Sequence, residues 1–219
     1  MNELVIRIKE SGNVTVEEHK DGVKSFKAIT PDSLLNCINK SLLRGGVSSG
    51  LLPRGCISFT ANDDGTKNVC ISHPESQANI TYYGSPYPNF PLPRLVFGFS
   101  ITGEGRISQT KLGVVANESH LKLTMPMFVY PFSNVSGFNL CIGNNAMPRI
   151  ESLHQLSSLP YHILSMDNNN DQFRPQNNKQ GLEMRDLLEL LREKPQEYYY
   201  THILVPNKQT LKDYITESA

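Results

Sequence analysis

Leu95-Val-Phe-Gly-Phe-Ser-Ile101 sets the architecture of the chain, because it is apolar at nearly every position. A strand with one wet face alternates apolar and polar residues, whereas a strand covered on both faces stays apolar along its length. Prolines stand just before it at positions 86, 88, 91 and 93. Because proline cannot donate to the ladder of a central strand, the pattern predicts a core strand over 95–101 with the proline-rich segment away from the centre of the sheet.

Shorter β-like runs precede the core strand and are separated by turn formers such as Asp64-Gly65. These runs are Cys56–Phe59, Asn68–Ser72 and Asn79–Tyr83. Short connections favour antiparallel pairing, since parallel strands need a long crossover. The sequence therefore predicts an antiparallel meander.

Two further features follow the core strand. Lys111–Ala116 and Leu121–Leu123 are predicted to form an added hairpin-like pair after the turn at Gly103-Glu-Gly105. The methionine and aromatic residues of Met125–Pro131 are expected to fill the core, because methionine suits irregular gaps. A docking surface is the alternative for that cluster.

Helical patterns dominate the last third of the chain. Ile150–Leu159 predicts one short helix stopped by the proline at position 160, Leu182–Leu191 predicts the strongest amphipathic helix, and Lys208–Ile215 predicts a last helix. The Asn-, Asp- and Gln-rich segment 166–178 is predicted to be a mobile loop. An antiparallel sheet from Cys56 to about Ile142 with helices packed to one side is an α+β fold.

The N-terminal region has its own pattern. Strands are predicted at Leu4–Ile8, Val14–Val16 and Val23–Ala28, followed by a helix that begins at Thr30 and ends at Gly45-Gly46. We therefore expect two parts, an N-terminal strand and helix extension over residues 1–50 and a main domain over residues 51–219.

Composition excludes several function classes. Lys plus Arg equals Asp plus Glu at 21 each, so no net charge favours nucleic acid or a membrane surface. The start lacks an apolar signal core, and no apolar run approaches a membrane span. The expected location is the cytoplasm.

Four cysteines, at positions 37, 56, 70 and 141, form no C-x-x-C pair and lack histidines at metal spacing. We expect neither a metal nor a cofactor. Cys37 falls on the apolar side of the first predicted helix, and Cys56 and Cys70 fall in strand-like runs. A free cysteine in such positions is usually a small buried hydrophobe.

Cys141 differs from the other three. It lies in Phe128-Val-Tyr-Pro-Phe-Ser-Asn-Val-Ser-Gly-Phe-Asn-Leu-Cys-Ile-Gly-Asn144, where a proline and several turn formers indicate irregular surface backbone. A thiol placed beside a tight turn at the surface can act as a nucleophile.

The same residues carry a family resemblance. Tyr87-Pro88-Asn-Phe-Pro91-Leu-Pro93, then Tyr130-Pro131, Asn134, Leu140-Cys141 and the late pair Thr201-His202 occur in that order. From about Leu51 to Pro206 the chain resembles ubiquitin-conjugating enzymes, and most of all their bacterial branch, the prokaryotic ubiquitin-conjugating-enzyme-like family D (PRTRC system protein B-like). Tyr130 stands where the eukaryotic enzymes have histidine.

The resemblance implies a fold and a reaction. The fold would be ubiquitin-conjugating-like, and Cys141 would accept the C-terminal carboxyl of a ubiquitin-like protein as a thioester and pass it to an amine. The implied partners are that ubiquitin-like protein, a ThiF-like adenylating activating enzyme and a JAB-type metalloprotease of the same system. No nucleic acid or membrane partner is implied.

Two further residues have more than one interpretation. Asn134 could donate its amide to the tetrahedral oxyanion, or could hold the surrounding loop by bonding its backbone. His202 matches the family's late Thr-His pair and could act on a proton or line the site, or could be a packed residue.

Two other function classes stay open. A catalytically inactive scaffold of the same fold would bind an activating enzyme or a ubiquitin-like protein. A cysteine hydrolase would need a histidine brought to Cys141 by the fold, because the histidines after residue 100 are all distant from it in sequence.

Overall fold

The computed structural model describes residues 3–20, 22–42 and 48–216. The chain divides into two compact units, Met1–Ser49 and Gly50–Ala219.

The N-terminal unit is a three-stranded antiparallel meander followed by a helix. Its elements are β1 (Glu3–Ile8), β2 (Val14–Lys20), β3 (Val23–Ile29) and α1 (Pro31–Leu42). The Thr30 hydroxyl accepts a hydrogen bond from the backbone N–H of Ser33 at 3.1 Å, which satisfies a free donor of the first turn. Cys37 on this helix is exposed, so the prediction that it is buried is wrong. The predicted helix end at Gly45-Gly46 lies outside the described residues.

The C-terminal unit contains the main sheet and a smaller one. Its strands are β4 (Cys56–Ala61), β5 (Lys67–His73), β6 (Ser76–Tyr82), β7 (Ser85–Leu92), β8 (Leu95–Ile101), β9 (Ile107–Val115), β10 (Pro126–Phe128), β11 (Val135–Ser136), β12 (Asn139–Leu140), β13 (Asp167–Asn168) and β14 (Pro206–Thr210). The main sheet has the order β11-β12-β9-β8-β5-β4, and β10 joins it to β14 through its pairing with β9.

Helices follow the sheet along the chain. They are a short 3-10 helix at Leu153–Ser158, α2 (Leu159–Leu164), a 3-10 turn at Pro175–Asn177, α3 (Met184–Leu191), a π-helical turn at Tyr199–Ile203 and α4 (Leu211–Thr216). The mixed α+β class with mainly antiparallel sheets is therefore confirmed. No helix of residues 3–20, 22–42 and 48–216 is long and apolar enough to cross a membrane.

The central position of β8 is confirmed. It pairs with β5 on one side and β9 on the other. Phe97 and Phe99 belong to the same buried cluster as Leu187 of α3. Val96 belongs to a second cluster that includes Tyr214 of α4, whose hydroxyl donates to the Val96 carbonyl at 2.9 Å. Both faces of β8 are thus covered, which accounts for its apolar sequence.

The proline-rich segment forms β7, which lies at the edge of the smaller sheet in the order β13-β6-β7. It pairs with β6 alone among the described strands. An edge strand tolerates proline because one side of it needs no N–H donors. The structure therefore agrees with the expectation that this segment is not a central strand.

Three local predictions are wrong. Lys111–Ala116 does not form a hairpin with Leu121–Leu123, because most of it belongs to β9, which pairs with β8 and β10. Pro160 does not stop a helix; it lies in the first turn of α2, where a missing N–H costs nothing. The predicted last helix over 208–215 begins with strand residues, and α4 starts only at Leu211.

The segment 166–178 is more ordered than its composition predicts. It contains β13, which pairs in parallel with β6, and it ends at Asn178, which is 3% exposed. The Asn178 amide donates to the Leu182 carbonyl and accepts from the Leu182 N–H, both at 3.0 Å. Side-chain amides therefore supply the backbone partners that a helix or a longer strand would otherwise provide.

Met125–Phe128 fills the core as expected. Met125 is 3% exposed and Met127 is 0% exposed, and both belong to the cluster beside α4.

Candidate active site

A tight hairpin carries the candidate nucleophile. Val135 pairs with Leu140 and Ser136 with Asn139, and Gly137 supplies the positive φ of +60° that the turn requires. The hairpin is fixed to the main sheet because the Leu112 N–H donates to the Phe138 carbonyl at 2.9 Å.

Cys141 comes directly after β12 and lies opposite Asn134. The Cys141 N–H donates to the Asn134 carbonyl at 2.8 Å, so the two residues continue the hairpin one position past its last strand pair. Cys141 is a free, exposed thiol. A turn closes the segment at Gly143, where φ is +55°. The thiol therefore lies at the surface, on backbone that a hydrogen bond to Asn134 on the other side of the hairpin holds in place.

The segment after α2 braces Asn134. Asn134 has a left-handed backbone with φ of +65°, its N–H donates to the Asp171 carbonyl at 2.9 Å, and its side-chain amide donates to the Asp167 carbonyl at 3.5 Å. Asparagine tolerates this backbone conformation better than most residues. These contacts tie Asn134 to the segment that carries Asp167 and Asp171.

A second brace starts from the neighbouring residue. The Ser133 hydroxyl donates to Oδ1 of Asn168 at 3.0 Å, and the Asn168 amide donates to the Thr81 carbonyl at 3.2 Å. Ser133 is 1% exposed. The loop before the hairpin is thus tied through β13 to β6 of the smaller sheet.

A small cavity lies beside Cys141. Its volume is about 30 Å³. Its polar lining residues are Tyr130, Ser133, Asn134, Cys141 and Asn168. Its apolar lining residues are Ile80, Leu92, Leu112, Phe132, Leu140, Ile163, Leu164 and Met166. The lining is therefore uncharged, and the thiol stands at a mainly apolar wall.

Tyr130 is a buried part of that wall. It is 7% exposed, and its ring packs edge to face against Phe132 at a centroid distance of 5.4 Å. Burial raises the pKa of Tyr130 well above its usual range. The hydroxyl consequently keeps its hydrogen at neutral pH.

His202 lies in a different environment. Its ring stacks on Tyr198 at 4.3 Å and 9°, its Nδ1 lies 2.6 Å from the Thr201 hydroxyl, and its carbonyl accepts from the Gln180 amide at 3.1 Å. His202 does not line the Cys141 cavity. The structure brings Asn134 to Cys141 but does not bring His202 into this wall, because the π-helical turn holds it against Tyr198.

The other cysteines of the main unit are poorer nucleophiles. Cys70 is 2% exposed, and burial raises the pKa of its thiol to about 12. Burial also raises the pKa of the half-buried Cys56 thiol. Because the thiolate is the reactive form, burial makes both thiols less reactive at neutral pH than they would be in water.

The described residues contain no group of three or more His, Cys, Asp or Glu side chains that could hold a metal ion. None of the histidines in that part of the chain lines the Cys141 cavity. His73 instead lies at a separate cavity, packed against Phe97 and Tyr161.

Sequence reasoning missed Asn168, Asp167 and Asp171 as parts of the site, and it placed Ser133 only in a stretch of turn formers. The signal for the first three was the excess of Asn and Asp in 166–178, which on its own is typical of a loop.

No protein-family model, curated protein or solved structure matches the chain.

Proposed function

We propose that the C-terminal unit is a ubiquitin-conjugating-like carrier that holds an acyl group as a thioester on Cys141 and transfers it to an amine. The observation that supports this most is the exposed Cys141 thiol, held opposite Asn134 beside a cavity whose described lining residues are uncharged. The order of elements supports it too, because the hairpin follows an antiparallel meander and precedes the helices.

Charging exchanges one thioester for another. Cys141 releases its proton to solvent, and its sulfur forms a bond to the acyl carbon of a ubiquitin-like protein carried on the sulfur of a ThiF-like activating enzyme. The bond from that carbon to the enzyme's sulfur breaks, and the departing thiolate takes up a proton. The incoming acyl group is already activated, so the site needs no strong base beside the thiol.

Discharge forms the product amide. The amine nitrogen bonds to the acyl carbon, a tetrahedral oxyanion forms, and the carbon–sulfur bond to Cys141 then breaks. The proton lost by nitrogen ends on the departing Cys141 thiolate. A JAB-type metalloprotease would fit the same system by removing such conjugates. We propose a cytoplasmic setting, where thiols stay reduced.

In this proposal Asn134 holds the loop. Its amide already donates to the Asp167 carbonyl, and its backbone bonds Cys141 and Asp171. Asn134→Ala should therefore lower both the melting temperature and the charging rate. A variant that charges and melts like the wild type but discharges slowly would instead identify Asn134 as the oxyanion donor.

A non-catalytic scaffold is the second candidate. It is favoured by the positions of the two other predicted catalytic residues, since the Asn134 amide is bound to Asp167 and His202 lies outside the cavity wall. A cysteine hydrolase has no comparable support, because the cavity lining supplies Cys141 with no histidine partner.

Acylation by a small thioester separates these functions. The probe is a short peptide that ends in glycine as its 2-mercaptoethanesulfonate thioester, and mass spectrometry follows acylation and its reversal by free lysine. Cys37 is the matched control, because it is also exposed but lies in the other unit.

A carrier should release the Cys141 adduct to lysine, as the peptide amide, much faster than the Cys37 adduct. Release of both adducts at one rate would reject catalysis and favour the scaffold. Release mainly to water would favour the hydrolase.

A further inference from the structure

The cavity beside Cys141 has room for one oxygen-sized group. Its volume is about 30 Å³, and a buried water needs a cavity of at least roughly 10–15 Å³. A carbonyl oxygen attached to an acyl carbon on Cys141 is a group of that size.

Most polar groups in the cavity wall already have partners. The Ser133 hydroxyl donates its only hydrogen to Asn168. The Asn168 amide donates to the Thr81 and Met166 carbonyls. The Asn134 amide donates one of its two hydrogens to Asp167.

The Tyr130 hydroxyl is the exception. Burial alone raises its pKa, without a contribution from any hydrogen bond, and no described residue bonds it. That hydroxyl is therefore free to donate its hydrogen to a bound group.

This hydroxyl also reaches open space. In the described part of the chain, the side-chain atom that is both sealed from solvent and without a hydrogen-bond partner is Glu75 Oε1, and the Tyr130 hydroxyl is not such an atom. The Tyr130 hydroxyl is therefore not sealed, although the residue is only 7% exposed. Tyr130 and Cys141 both line the same cavity.

Building on the proposed function, we propose that the Tyr130 hydroxyl donates a hydrogen bond to the acyl oxygen on Cys141 as that oxygen becomes an oxyanion. The amine bonds to the acyl carbon, the carbonyl electron pair moves to oxygen, and the pair returns when the carbon–sulfur bond breaks. The hydrogen stays on Tyr130 throughout. Tyr130 is thus assigned as a catalytic residue that stabilises charge without transferring a proton.

The physical basis is preorganisation. A donor aimed in advance at a developing charge, in a wall with few competing waters, lowers the barrier without reorganising at the moment of reaction. Phe132 packs edge to face against the Tyr130 ring, which restrains that ring. Both charging and discharge form an oxyanion on the same acyl carbon, so the donor should assist both steps.

Tyr130→Phe tests the proposal with the same peptide thioester and free lysine. No described residue bonds the hydroxyl, so its removal leaves none of their polar groups unpaired and the melting temperature should stay unchanged. Loss of one oxyanion donor should slow discharge at saturating lysine on the order of 100-fold. The lysine concentration for half-maximal rate should not change.

Tyr199→Phe is the matched control. Tyr199 is 0% exposed in the same core cluster, and its hydroxyl donates to the Pro91 carbonyl at 2.7 Å, but it does not line the cavity. This variant should lower the melting temperature while discharge keeps the wild-type rate.

Three results would overturn the inference. Tyr130→Phe could discharge at the wild-type rate, or both variants could slow discharge equally, which would indicate a loosened core. Failure of the wild-type Cys141 adduct to react faster with lysine than the Cys37 adduct would instead overturn the proposed function, and this inference with it. The Cys37 comparison therefore tells the two failures apart.

Discussion

Replacing Asn168 by alanine should destabilise the C-terminal unit and loosen the Cys141 hairpin. The change removes the acceptor of the Ser133 hydroxyl, at 3.0 Å, and the donor to the Thr81 carbonyl, at 3.2 Å. Ser133 is 1% exposed, so water cannot easily replace its lost partner. An unpaired buried hydroxyl costs about 1–3 kcal/mol, and an ordinary lost hydrogen bond about 1 kcal/mol.

The expected loss of unfolding free energy is roughly 2–4 kcal/mol, the sum of those two terms. In a domain of this size that corresponds to a melting temperature lower by about 4–16 °C. Urea denaturation of wild type, Asn168→Ala, Ser133→Ala and the double variant would measure it. The cost of an unpaired hydroxyl arises only when Ser133 is present. Asn168→Ala should therefore lower the unfolding free energy by at least about 1 kcal/mol less in the Ser133→Ala background than in the wild type.

Two results would refute this reasoning. A cost below about 0.5 kcal/mol would place Asn168→Ala among ordinary surface substitutions. Strictly additive costs in the cycle would mean that Ser133 and Asn168 do not depend on each other, whatever their distance.

Three further outcomes are expected. Gly105→Ala should lower the unfolding free energy by at least about 2 kcal/mol, because its Cβ would overlap the Ile150 carbonyl oxygen. Gly65→Ala is the control, since Gly65 has a similar positive φ but nothing within 4 Å of the added Cβ. It should cost clearly less in the same denaturation assay. Cys70 should react with iodoacetamide only on unfolding, because burial raises the pKa of its thiol to about 12; labelling at the rate of the exposed thiols would contradict its burial. Burial also raises the pKa of Tyr214, so above about pH 10 the folded state binds more protons than the unfolded state. The unfolding free energy should therefore fall there by up to about 1.4 kcal/mol per pH unit for each such tyrosine. A flat stability profile from pH 9 to 11 would reject this.

Features set by local sequence could be predicted. The continuous apolar run of β8 follows from burial on both faces, and a run of that kind needs no knowledge of its neighbours. The surface position of the Cys141 segment follows from its own turn formers, because Gly137 and Gly143 supply positive φ angles within the hairpin and just after it.

Features set by distant pairing could not be predicted. Lys111 lies in a segment that has the composition of a hairpin strand, yet β8 on one side and β12 on the other fix its partners. Proline stops a helix at most positions but is harmless in the first turn of a helix, where Pro160 lies. Each outcome depends on where a neighbouring element begins, which the local pattern does not contain.

The contacts of the candidate site also depend on pairing between residues that are distant in sequence. Asn134 and Asp167 are 33 residues apart in sequence, and Ser133 and Asn168 are 35 apart. Periodicity does not connect positions at that separation. His202 had two interpretations from the sequence, and its ring stacks on Tyr198, a contact that its place in a sequence pattern does not contain.

The composition of the cavity wall limits the chemistry that Cys141 can perform. An amide or ester substrate must be activated by the enzyme itself, which requires a base for the thiol and an acid for the leaving group. The described lining offers hydroxyl and amide groups and apolar side chains. Such groups can stabilise an oxyanion but cannot carry protons at neutral pH. A substrate that arrives already activated as a thioester needs only stabilisation of the oxyanion, since its leaving group is a thiolate. The proposed carrier function requires acyl exchange and aminolysis of this kind, and the Tyr130 hydroxyl is the group through which we propose to measure it.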